Sequence, residues 1–140
     1  SGAMYERLGR SYAELQNWEK TEDAMVKALN AGGVKDRGLV WVLIGQSRYE
    51  RGDRDGAREA FRNANNRGGR GWLQFMDSEE RTEAALVRFE AESLVQDTKN
   101  EKERCDRLSV LGDEGLPEAC NTVEQRLKDA QEAVKALGNS

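Results

Sequence analysis

The chain has 140 residues, with 22 Lys and Arg against 26 Asp and Glu for a net charge of -4, no histidine and only two cysteines. Without histidine there is no Ser-His-Asp or Cys-His arrangement and no His-dependent metal site, and two cysteines alone cannot complete a structural zinc centre. An acidic chain lacks the basic stripe that a phosphate backbone needs, and no run reaches the roughly 18 apolar residues of a membrane span, so neither nucleic acid nor direct membrane insertion is expected.

With 37% hydrophobic and 34% charged residues and a single proline, the composition is dominated by strong helix formers and predicts an all-α chain. Residues 1–4, Ser-Gly-Ala-Met, read as the scar of a cleaved expression tag and are set apart from the fold. Tyr5, Leu8, Tyr12 and Leu15 then follow at spacings of 3, 4 and 3, one stripe of a first helix. After a turn at Gln16-Asn17, Trp18, Met25, Ala28 and Leu29 supply a second helix, stopped at Gly32-Gly33. From Leu39 the cycle restarts. Trp41, Ile44, Gly45 and Tyr49 lie on a third helix, Gly52-Asp53 is a turn, and Ala57, Ala60, Phe61 and Ala64 line a fourth, with Gly68-Gly69 closing it. Gly45 and Ala57 fall where two helices would approach closely, and Trp41 and Phe61 where space must be filled.

Trp72-Leu73-Gln74-Phe75-Met76 opens a further helix. Asp77-x-x-Glu80 beyond it fits a capping box, so either this helix runs on exposed or a new one starts at Asp77. Arg67-Gly68-Gly69-Arg70-Gly71 reads as a turn between repeats. In the last third, Leu116, Cys120, Val123, Leu127, Ala130, Val134 and Leu137 form a heptad seam, with Pro117 suited to its first turn. A weaker seam of Ala91, Leu94, Thr98, Glu101, Cys105 and Leu108 precedes it, and the segment 111–115 between them is a turn. The simplest arrangement is an antiparallel hairpin in which Cys105 faces Cys120, Thr98 faces Leu127 and Ala91 faces Val134. The two cysteines then form a disulfide or stand as reduced, buried small hydrophobes. Their facing positions favour the disulfide, and with it an oxidising compartment, periplasmic or extracellular, over the cytoplasm.

The first two helix pairs resemble the tetratricopeptide repeat family. Tyr5, Leu8, Gly9, Tyr12, Trp18, Met25 and Ala28 match one copy of its motif, with Thr21 in place of a small alanine. Trp41, Ile44, Gly45, Gly52, Asp53, Ala57, Phe61 and Ala64 match a second, with Arg48 at the tyrosine position. The resemblance implies a solenoid of helix-turn-helix repeats, two copies and a partial third over residues 5–76, followed by a helical capping or hairpin region over 77–140. It also implies a concave groove for a peptide or helix of a partner protein. Carried over position by position, the groove consists of Glu6, Arg10, Glu14, Val42, Gln46, Tyr49, Glu50, Gln74 and Asp77, a mixed, mildly acidic surface. Glu6 and Val42 replace the Lys and Asn that dicarboxylate-clamp members use on acidic C-termini. The run from Trp72 to Arg81 is also similar to the end of tetratricopeptide proteins of TonB energy-transduction systems, which implies a bacterial envelope assembly. A noncatalytic scaffold with no cofactor and no metal is therefore the expectation. The alternative is an oligomerisation module, a homodimer paired through the C-terminal seam.

Overall fold

The computed structural model describes residues 1–112 and 115–138. These residues are all-helical, with no strand among them. The helices are α1 Gly2–Glu14, α2 Trp18–Ala31, α3 Arg37–Glu50, α4 Arg54–Ala64, α5 Arg67–Ser109 and, after a 3₁₀ turn Glu118–Thr122, α6 Val123–Ala136. The chain divides into two compact units, Ser1–Ser78 and Glu79–Ser140, and α5 contributes residues to both. No helix among the described residues is long and apolar enough to cross a membrane.

In the first unit α1 pairs with α2 and α3 with α4, while α2 packs on α3 and α1 also touches α3. The starts of α2, α3 and α4 are each fixed by a side chain that meets an otherwise unpaired helix-end amide. Asn17 accepts from the Lys20 N–H at 3.2 Å, Asp36 from that of Leu39 at 2.9 Å and Asp53 from that of Gly56 at 2.9 Å. Gly32, at φ +77°, ends α2 in a conformation that side-chain-bearing residues avoid. Met25, Val40, Ile44 and Ala60 form one buried cluster, flanked by Leu29, Val34, Trp41 and Leu43. Ala57, Phe61 and Met76 form another, flanked by Val42, Tyr49, Trp72 and Leu73.

Arg48, which the resemblance sets at a tyrosine position, is held by several partners. Its Nε donates to Glu22 Oε1 at 2.6 Å and its Nη1 to the Gly56 carbonyl at 3.1 Å, and Arg51 reaches the other Glu22 oxygen at 3.1 Å. One guanidinium thus ties α3 to both α2 and the first turn of α4, with the planar fork that a tyrosine hydroxyl could not supply.

Three expectations are corrected and one open alternative, at Asp77, is decided. The stripe of α1 is not its buried face: Leu8 is 41% and Leu15 76% exposed, and the buried residues are Gly2, Glu6 and Gly9. Small residues allow the closer approach, since a Cβ at Gly9 would lie 2.9 Å from Met25 Sδ. The stop after α4 is Asn65, left-handed at φ 47°, and not Gly68-Gly69. The Arg67–Gly71 segment is no turn either. It is the first turn of α5, where Asn66 Oδ1 accepts from the Gly69 N–H at 2.8 Å. Asp77 and Glu80 start no new helix, because they lie within the continuous 43-residue α5.

The second unit is held by fewer apolar groups. Thr98 and Cys105 on α5 and Val123 and Ala130 on α6 are its buried residues, whereas Leu94 remains 56% exposed. Cys105 and Cys120 are joined in a disulfide with Cα atoms 5.7 Å apart. Closing that 15-residue loop is worth about 3 kcal/mol in the chain-entropy account. Further along, Arg126 donates from Nη1 and Nη2 to both Glu101 oxygens at 2.8 Å, and also to the Ala119 carbonyl and Thr122 Oγ1. The Arg88 guanidinium donates to the Gly138 carbonyl. These three links run antiparallel, as the facing positions require. Pro117, however, caps the 3₁₀ turn and lies outside α6, so Leu116 and Cys120 precede that helix. Of the expected turn at 111–115, Asp113 and Glu114 lie outside the described residues.

Hydrogen bonding from Arg126 holds the Glu101 carboxyl below the usual carboxylate range, and the same contact raises Arg126. A carboxyl depressed in the folded state contributes stability that is complete above its unfolded value, about 4.3, and is lost as pH falls through the folded one. The thermal midpoint of the second unit is therefore expected to fall more steeply between about pH 6 and about pH 3 in the wild type than in Arg126→Met. Calorimetry of the two chains across that range measures the difference, and equal slopes would contradict the role given to this pair.

Candidate partner-binding surface

The surface is built from Phe61 outward. A Cβ placed on Gly45 of α3 would lie 2.6 Å from Phe61 Cδ1, so the ring on α4 occupies the space a side chain at 45 would need. Asn65 then reverses the chain, and Gly69 lets the first turn of α5 close onto α4, where a Cβ would sit 3.1 Å from that of Ala64. This approach sets Trp72 flat on Phe61, with centroids 5.2 Å apart and planes 6° from parallel. Tyr49 meets Trp72 at 5.3 Å and Phe75 at 6.0 Å, and Phe75 stands edge-on to Trp72 at 5.7 Å. Both separations and angles are those that aromatic quadrupoles favour.

The four rings grade from core to solvent. Phe61 is buried, Tyr49 and Trp72 are half-buried and Phe75 is 48% exposed. Beside them opens a shallow depression of about 410 Å³ lined by Gly68, Gly71, Trp72 and Phe75. It stays open because the glycines add nothing: a Cβ at Gly71 would touch no atom within 4 Å, and one at Gly68 only Val42 and Asn66, at 3.5 and 3.6 Å. The Arg54 guanidinium lies over the Tyr49 ring at 5.8 Å, close enough for a cation–π attraction.

The positions carried over from the repeat family are distributed unevenly. Glu6 is buried, 3% exposed, with one oxygen accepting from the Lys35 N–H at 2.8 Å and the other from Arg10 at 3.2 Å. It secures the loop after α2, and Arg10 is drawn to it. Val42 and Tyr49 pack against the Phe61 cluster. Gln46 is half-buried, and Glu14, Glu50, Gln74 and Asp77 are exposed. Trp72, Phe75, Gly68 and Gly71 are absent from that set, although they form the apolar surface. The signal for them is the pair of glycines three apart, one turn before Trp72, which reads as a turn only if the helix is assumed to begin later.

Among the described residues no group of three or more Cys, Asp or Glu side chains is placed to hold a metal ion. Comparison with protein-family models, with curated proteins and with solved structures returns no match for this chain.

The two outer rings differ in what supports them. Trp72→Ala removes the partner of Phe61 and is expected to cost about 2 kcal/mol or more, whereas Phe75→Ala should stay within about 0.5 kcal/mol of wild type. Denaturant unfolding compares them directly, and equal losses would contradict the gradation from core to surface.

Proposed function

We propose that this chain is a noncatalytic protein-binding scaffold, a short tetratricopeptide-like solenoid that holds an extended segment of a partner protein against Tyr49, Trp72 and Phe75. One observation carries the reading: a half-exposed aromatic cluster on a rigid helical platform, kept open by two glycines. Aromatic rings fixed in place give large apolar contact for little loss of conformational freedom, which is why such groups dominate binding energy at interfaces. Support for the repeat architecture comes from the motif residues themselves, with Gly45 against Phe61 and the α1/α2 and α3/α4 pairs packed in sequence order.

Charge narrows the partner. Residues 1–78 hold 13 Lys and Arg against 11 Asp and Glu, and residues 79–140 hold 9 against 15. The net charge of -4 for the whole chain therefore combines +2 in the first unit with -6 in the second. With Arg54 over Tyr49 and Arg67 one helical turn before Gly71, the surface suits a segment that pairs an apolar anchor with acidic neighbours. That departs from the mildly acidic groove implied by the family positions, because those positions omit the start of α5. The disulfide supports an oxidising compartment, the periplasm of an envelope assembly or the extracellular space.

Selection of random peptides on the immobilised protein tests the binding surface. Enriched sequences should carry an apolar anchor and bind Phe75→Asp at least about tenfold more weakly, or 1.4 kcal/mol. Binding indifferent to that change would overturn the reading. The compartment rests on the cysteines: protein purified in air without reductant should have an intact mass two hydrogens below the reduced form, and free thiols would remove this support.

A further inference from the structure

The hairpin turn of the second unit carries the two most exposed large apolar side chains among the described residues, Val110 at 84% and Leu111 at 85%. Isolated apolar residues on a surface are ordinary, but two adjacent ones at the apex of a tied loop are placed where a partner can reach them. The Cys105–Cys120 disulfide closes the base of this loop. Residues 103–118 carry five acidic side chains and two arginines. Val110 and Leu111 are thus an apolar anchor within an acidic stretch of sequence, the chemistry that the aromatic depression on the first unit favours.

We propose that the depression lined by Gly68, Gly71, Trp72 and Phe75 receives the Val110-Leu111 apex of a second copy of this chain, giving head-to-tail self-association. The inference rests on the proposed binding surface and names its occupant. Leu111 of one copy lies against the Trp72 and Phe75 rings of the next, and the net charge of -6 on the second unit complements the +2 of the first. Because the two surfaces differ, the contact is heterologous and repeats into a ring or an open chain of copies. The contact is small, so the association is weak and falls with salt.

Sedimentation velocity of the full chain over a wide concentration range tests this, with Leu111→Glu at the apex and Phe75→Glu at the depression. Wild type should show a sedimentation coefficient that rises with concentration, and each variant should weaken association at least about tenfold. An equimolar mixture of the two variants provides the decisive measurement. The intact apex of Phe75→Glu fits the intact depression of Leu111→Glu, so the mixture should form one heterodimer and stop there. A wild type that stays monomeric to about 1 mM, an affinity near -4 kcal/mol, overturns the proposal, as does a mixture that remains monomeric. A monomeric wild type that still selects Phe75-dependent peptides leaves the scaffold reading intact and removes only the second copy as its occupant.

Discussion

Phe61 organises α3, α4 and the start of α5, because three elements are positioned by one ring. The absence of a side chain at Gly45 lets α3 approach it, Ala57 and Met76 complete its burial, and Trp72 stacks on its free face. Close-packed interiors transmit small changes in volume. Anything that moves Phe61 therefore moves Trp72, and with it Tyr49 and Phe75. Core packing and the proposed binding surface are consequently one aromatic assembly seen from two sides.

The second unit follows a different economy of contacts. Among its described residues only Thr98, Cys105, Val123 and Ala130 are buried, and Thr98 satisfies its hydroxyl by donating back to the Leu94 carbonyl at 2.7 Å. Apolar burial on that scale does not hold a 14-residue helix such as α6, which is marginal in isolation. The covalent link at one end and the bidentate Arg126–Glu101 contact in the middle supply what the seam lacks. A hairpin built this way can carry exposed apolar residues at its apex, since its stability does not depend on burying them.

Much of this was legible in the chain. Helix-forming composition, apolar spacings and the turn residues Asn17, Gly32 and Asp53 gave the helical class and the first four helices, because local propensity and capping act over a few residues. The facing positions of Cys105 and Cys120 followed from seam arithmetic. Where the reading failed, the local signal had two meanings. Gly68 and Gly69 can end a helix or permit one to pack closely, and Asn65, one of the few side chains that tolerates a left-handed backbone, ended it first. Asp77 and Glu80 can cap a helix start or sit exposed in a helix interior, and α5 runs through them.

The sequence by itself therefore determined the all-α class, the helix pairs and the facing of the two cysteines, each of which depends on periodicity or on contacts that helix geometry fixes. Only the tertiary structure decided which face of each helix is spent on packing. Leu8 and Leu15 are apolar yet exposed, Glu6 is charged yet buried, and Trp72 and Phe75 of α5 are set against Phe61 and Tyr49 from two other helices. The physical reason is that burial depends on what lies opposite a side chain, and an opposite helix is set by the closest approach the glycines allow.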